Sequence, residues 1–83
     1  MNWTKKKLNW NRKGEYTIQY TSDTKPVYVI ESIRRAIPHA NGSGEWLHTT
    51  YWVHYPDNQR IQYNLFNLAK RACQTDYQRR RGL

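Results

Sequence analysis

The stretch from Glu45 to Arg80 reads EWLHTTYWVHYPDNQRIQYNLFNLAKRACQTDYQRR. It predicts a long aromatic strand, a turn, a short extended segment and one amphipathic helix. The apolar side chains that recur at helical spacing are Leu68, Ala69, Ala72, Cys73 and Tyr77. Asn67 is the predicted N-cap, and Gly82 is a stop signal after the helix. The single apolar stripe predicts that the helix packs on one face of a sheet.

The aromatic strand has two different sets of side chains. Leu47, Thr49, Tyr51, Val53 and Tyr55 share one parity, and Trp46, His48, Thr50, Trp52 and His54 share the other. The first set is the natural core face. The second set is unusual, because the outer face of an antiparallel sheet is commonly polar. Three interpretations stay open: the N-terminal Trp3–Trp10 segment covers this face, a partner protein or a second copy (a homodimer) covers it, or nucleic-acid bases stack on it.

The rest of the chain predicts further strands. After Gly14, Tyr16, Ile18 and Tyr20 alternate with polar residues, which is typical of a half-buried strand. A second strand follows from Val27 and is expected to continue to about Arg35, with a short helical turn over 32–37 as the alternative. The pattern weakens from Arg34, and residues 34–44 contain the longest predicted loop. The predicted fold is one α+β domain over residues 1–83: a basic N-terminal arm (1–13), a three-stranded antiparallel β-meander (14–63) with the option of a short fourth strand, and a C-terminal helix (64–81) on one face.

The order of these signals is similar to that of a known group of proteins. The residues that carry the likeness are Trp10, Gly14-Glu15-Tyr16, Trp46 and Phe66-Asn67-Leu68-Ala69-Lys70. They resemble small phage- and prophage-encoded βββα proteins, over about residues 10–80. This resemblance implies a host-takeover factor or an inhibitor of a defence system. The chain departs from the pattern at Asn67, where Ser or Thr is more usual, and in the strongly basic end of its helix.

The same βββα order also looks like the DNA-binding domains of some plant transcription factors and transposon integrases. Those domains place a three-stranded sheet in the major groove, which strands can enter. No base-reading motif carries over to this sequence, so the likeness is one of architecture alone.

Charge is the strongest compositional signal. Fourteen Lys and Arg residues against six acidic residues give a net charge of +8, which favours a polyanionic partner. The first hypothesis is therefore nucleic-acid binding, to DNA or RNA, and the second is an inhibitor that binds an acidic host protein or nucleoprotein complex. The candidate binding residues are Lys5, Lys6, Lys7, Arg34, Arg35, Trp46, His48, Trp52, His54, Lys70, Arg71, Arg79, Arg80 and Arg81.

Other classes of function are disfavoured by what the sequence contains. The lone Cys73 cannot form an internal disulfide, and it is expected to be an inert residue of the helix stripe. His48 and His54 have no third ligand at metal-binding spacing, and no catalytic motif is present, so we expect no metal, no cofactor and no enzymatic activity. No segment approaches the roughly 20 apolar residues of a membrane span. A cytoplasmic location, the host cytoplasm for a phage protein, is the expectation.

Overall fold

The computed structural model of the chain describes residues 1–82. It contains a five-stranded antiparallel sheet in sequential order followed by one helix. The elements are β1 (Trp3–Trp10), β2 (Tyr16–Ser22), β3 (Val29–Pro38), β4 (Glu45–His54), β5 (Arg60–Tyr63) and α1 (Phe66–Arg80). The predicted α+β class and the C-terminal helix are confirmed. The predicted short fourth strand is present as β5, and the further strand β1 comes from the residues expected to form an arm.

The prediction of an N-terminal arm is wrong because residues 3–10 pair with β2 along their length, from Trp3 opposite Ser22 to Trp10 opposite Tyr16. The Trp3–Trp10 segment therefore lies beside β2 and does not cover the second face of the sheet. Within the described part of the chain, β1 pairs on one side only. Its consecutive lysines suit such an edge, because charged side chains discourage pairing with another chain.

The strand β3 is longer than predicted. Residues 36–38, which lie beyond the predicted end of the strand at about Arg35, pair with residues 45–47 of β4. A turn joins the two strands, in which the His39 amide donates to the Gly44 carbonyl at 2.8 Å. The sequence of β3 alone could not predict this extension, because it depends on hydrogen-bond partners that the ten residues of β4 supply.

The core lies between α1 and one end of the sheet. Its fully buried side chains are Tyr28, Ile30, Val53, Ala69 and Cys73. Ala69 and Cys73 are small, and this allows the helix to approach the strands closely, as the stripe predicted. Leu68 of the same stripe is 41% exposed and lies outside the core.

The two ends of α1 are held in place differently. The predicted N-cap at Asn67 is wrong: the helix begins at Phe66, and the capping position is Leu65, which makes no side-chain cap bond. At the other end, the Tyr28 hydroxyl donates to Asp76 at 2.6 Å, and Arg80 Nε donates to the same oxygen at 2.6 Å. The Asp76 carboxylate thus links the C-terminal half of the helix to Tyr28, the residue directly before β3.

The helix covers only part of its side of the sheet. It packs on β3, β4 and β5, whereas β1 and most of β2 remain uncovered. Of the predicted core face of β4, Val53 is buried and Tyr51 packs against the core, but Leu47 is 38% exposed. An uncovered sheet surface therefore lies next to α1, on the same side.

Candidate nucleic-acid interface

A groove occupies the uncovered surface beside α1. We call it the helix-side groove, and it has a volume of about 390 Å³. Its lining residues are Lys5, Lys7, Trp10, Gly14, Tyr16, Ile18, Tyr20 and Arg34. Three of these are basic, three are aromatic and none is acidic.

A β-bulge places Trp10 in this groove. Lys7 pairs with Ile18 and Asn9 with Thr17, so Leu8 is the extra residue between them. In a regular strand, Lys7 and Trp10 would point to opposite faces, because they are three residues apart. The bulge brings both to the helix side, where Trp10 lies opposite Tyr16.

The turn between β1 and β2 fixes the end of the groove. The side-chain oxygen of Asn11 accepts bonds from the Lys13 and Glu15 amides at 3.0 and 3.1 Å. Gly14 has φ of 84°, a conformation in which any other side chain would strain the backbone. A Cβ there would also lie 3.2 Å from the tip of the Leu47 side chain, which would have to shift slightly.

Glu15, the acidic residue next to the groove, is held in the same turn. Its carboxylate accepts the Ala36 amide at 2.9 Å and the side-chain amide of Asn11 at 2.9 Å. The bond from Ala36 is the largest cause that lowers the pKa of Glu15, and the Asn11 bond adds to it. Glu15 thus substitutes for a ladder partner of β3.

Cations lie against aromatic rings along the groove. The Arg34 guanidinium carbon is 5.4 Å from the centre of the Tyr16 ring. At the end nearest α1, the Tyr20 ring is 4.6 Å from that of Phe66, and the Lys70 ammonium is 4.9 Å from the Phe66 ring. Lys70 therefore extends the positive charge of the groove onto the helix. Such cation–π contacts orient the side chains without neutralising their charge.

The opposite face of the sheet carries the other predicted patch. Cross-strand pairing places Lys6, Glu31, Arg35, Trp46, His48, Trp52, His54 and Arg60 on it. The Trp46 and His48 rings meet edge to face at 5.0 Å, and the Arg60 guanidinium lies 4.4 Å from the centre of the Trp52 ring. His54 pairs with Glu31, and Arg35 donates to the carbonyls of Tyr16 and Arg34. Most of the groups on this face are thus engaged with one another.

The remaining predicted residues lie on the helix, away from the groove. Arg71 and Arg79 line a cleft of about 500 Å³ between α1 and β5. Arg80 forms ion pairs with Asp76 and Asp57, at 2.6 and 3.2 Å, and Arg81 lies 5.5 Å from the Tyr77 ring. The candidate binding residues therefore do not lie on one surface. The structure divides them among the groove, the opposite face and the α1–β5 cleft.

Cys73 faces the core rather than any of these surfaces. Burial raises the pKa of its thiol to about 12. A thiol with so high a pKa carries almost no thiolate at neutral pH, which is the reactive form.

Sequence reasoning missed the aromatic residues of the groove. It placed Tyr16, Ile18 and Tyr20 on one face of a half-buried strand, which is correct, but it did not assign Tyr16 or Tyr20 to a binding surface. Residues 3–10 were not recognised as a strand, so the predicted sheet was too narrow to leave an uncovered surface beside the helix. The order of polar and apolar residues in β1 also did not predict the bulge at Leu8, which directs Trp10 into the groove.

No family model, curated protein or solved structure matches this chain. Within residues 1–82, no helix has the length and apolar character needed to cross a membrane. The same residues hold no group of three or more His, Cys, Asp or Glu side chains placed to bind a metal ion.

Proposed function

We propose that the protein binds nucleic acid through the helix-side groove. The observation that carries this proposal is the composition of the groove lining, which combines Lys5, Lys7 and Arg34 with three aromatic rings and contains no acidic residue. Basic residues attract phosphates, and aromatic rings offer flat surfaces to bases. Lys70 adds a fourth cation at the edge of the groove.

The distribution of acidic residues strengthens this positive potential. Among the described residues, Arg80 is the one Lys or Arg in an ion pair, and it takes up two carboxylates, Asp57 and Asp76. Glu31 pairs with His54 on the opposite face. The cations of the groove therefore remain available for a polyanion.

The test is a titration of the protein against fluorescently labelled oligonucleotides, followed by anisotropy at several salt concentrations. We expect the logarithm of the affinity to fall linearly with the logarithm of salt, by about 0.9 per phosphate contact on duplex DNA and about 0.7 on single strands. A flat salt response, or no binding of any DNA or RNA at low salt, would refute the proposal.

A second candidate is a protein-binding inhibitor of the phage type. The α1–β5 cleft favours it, because the exposed Ile61 and Leu68 lie there beside Arg71 and Arg79. An apolar floor with basic residues around it suits an acidic patch on a host protein or nucleoprotein complex. A pull-down from host lysate, run with and without nuclease, separates the two candidates: a stoichiometric protein partner that survives nuclease supports the inhibitor, and a partner lost on digestion supports nucleic-acid binding.

A further inference from the structure

The rings of the helix-side groove lie at two positions along β2. Tyr16 and Trp10 are cross-strand partners at one end, and Tyr20 contacts Phe66 near the other. Tyr16 and Tyr20 are four residues apart, which corresponds to about 13 Å in an extended strand. Between them, Ile18 is buried and Lys7 lies opposite it. Aromatic and basic side chains thus alternate along the groove.

Trp10 is the most exposed large apolar side chain among the described residues, at 72%. An edge strand is an unfavourable place for an indole that contributes little to the core, since its exposed apolar surface costs free energy in water. The bulge at Leu8 nevertheless brings this ring to the basic side of the sheet. Bulges commonly re-aim side chains next to functional sites.

The bases of a duplex are stacked on one another, so an indole on a sheet surface has access to their edges and to the backbone but not to their faces. An unpaired base can place its face on the ring, which is how sequence-tolerant single-strand binding surfaces operate. From the position of Trp10 among the cations, we infer that the groove is a single-strand site. Bases stack on Trp10 and Tyr16, while Lys5, Lys7 and Arg34 contact phosphates.

This inference rests on the proposed function and specifies its ligand as unpaired nucleic acid. The aromatic face of a four-stranded RNA-binding sheet takes about two or three bases. The spacing of rings in this groove suits a similar number. Stacking uses the π-face that every base has, so the site is expected to accept DNA and RNA strands of different sequence.

The experiment compares four labelled ligands at one salt concentration: oligothymidylate, oligouridylate, an abasic DNA strand of the same length, and a duplex of the same length. The abasic strand keeps the phosphates and removes the bases. We expect both base-bearing single strands to bind at least about 5-fold more tightly than the abasic strand, the lower bound for one stacked base. We also expect the duplex to bind more weakly than the base-bearing strands.

Two variants then locate the stacking. Trp10→Ala removes the exposed ring and is expected to weaken oligothymidylate binding by about 5- to 150-fold while leaving the abasic strand unaffected. Trp46→Ala is the matched control, because Trp46 is also exposed (44%) but lies on the opposite face of the sheet. This variant should bind oligothymidylate as tightly as the unmodified protein does.

The failures of the two proposals are distinguishable. If the abasic strand or the duplex binds as tightly as oligothymidylate, or if Trp10→Ala and Trp46→Ala behave alike, the single-strand inference is overturned and nucleic-acid binding stands. If none of the four ligands binds at low salt, the proposed function itself is refuted, and the inference with it.

Discussion

Removal of the three groove cations has a consequence that can be calculated. The triple variant Lys5→Gln, Lys7→Gln, Arg34→Gln deletes every charge in the groove lining and leaves the rings in place. If each cation contacts one phosphate of a single strand, the log–log salt slope should become shallower by about 2.1, from about 0.7 per contact. Between ~50 and ~200 mM salt, the unmodified protein should then lose about 20-fold more affinity than the variant.

The measurement is the anisotropy of labelled oligothymidylate over that salt range, with circular dichroism to verify folding. The matched control is Lys6→Gln, Lys25→Gln, Arg60→Gln, which removes the same charge at exposed positions outside the groove lining. Its slope should stay close to that of the unmodified protein. Equal loss of slope in the two triple variants would refute the groove as the binding site, because net charge alone would then account for the affinity.

Three further predictions concern stability and register. Tyr28→Phe deletes the 2.6 Å bond to Asp76 and should lower the free energy of unfolding by about 1.5 kcal/mol in urea denaturation, the lower end for a bond to a charged group. Burial acts to raise the pKa of Asp76, but bonds from Tyr28 and Arg80 outweigh it and hold that pKa below its usual value. Its contribution to stability is therefore complete above the ordinary carboxyl pKa of about 4 and is lost as pH falls below it, so Asp76→Asn should flatten the acid limb of melting temperature against pH. Deletion of Leu8 removes only the unpaired bulge residue, so the cross-strand pairs and oligothymidylate binding, measured by anisotropy, should be preserved. Deletion of Lys6 removes a paired residue instead. It should turn Trp3 away from the core and lower the melting temperature.

Local patterns were sufficient for the parts of the fold that have one strong period. The alternation in β2, the two parities of β4 and the helical stripe around Ala69 and Cys73 each follow from the side chains alone. Alternation failed in β1, where the bulge at Leu8 changes the parity between Lys7 and Trp10. Such a register shift depends on the pairing of two strands, and one strand's sequence does not contain that information.

The error about the N-terminal segment also explains why the groove was missed. A helix is about 10–12 Å wide, and neighbouring strands are about 4.8 Å apart, so one helix covers roughly two to three strands. On a three-stranded sheet, α1 would cover its whole side, and Tyr16 and Tyr20 would belong to the core. Because the sheet has five strands and α1 packs on β3, β4 and β5, the helix leaves a basic and aromatic surface uncovered on β1 and most of β2.

Two surfaces of the sheet carry exposed tryptophan, and charge distinguishes them. On the opposite face, the Trp52 ring is already in contact with Arg60, and the carboxylate of Glu31 lies next to it on β3, where it would repel a phosphate. In the helix-side groove, Trp10 is open to solvent, and the charges of the lining are Lys5, Lys7 and Arg34. The neighbouring carboxylate of Glu15 is engaged by the Ala36 and Asn11 amides. Aromatic content alone would favour the opposite face, which the sequence-based prediction singled out for that reason. The combination of a solvent-exposed ring with three basic lining residues favours the groove, since a nucleic-acid strand must satisfy its bases and its phosphates at the same place.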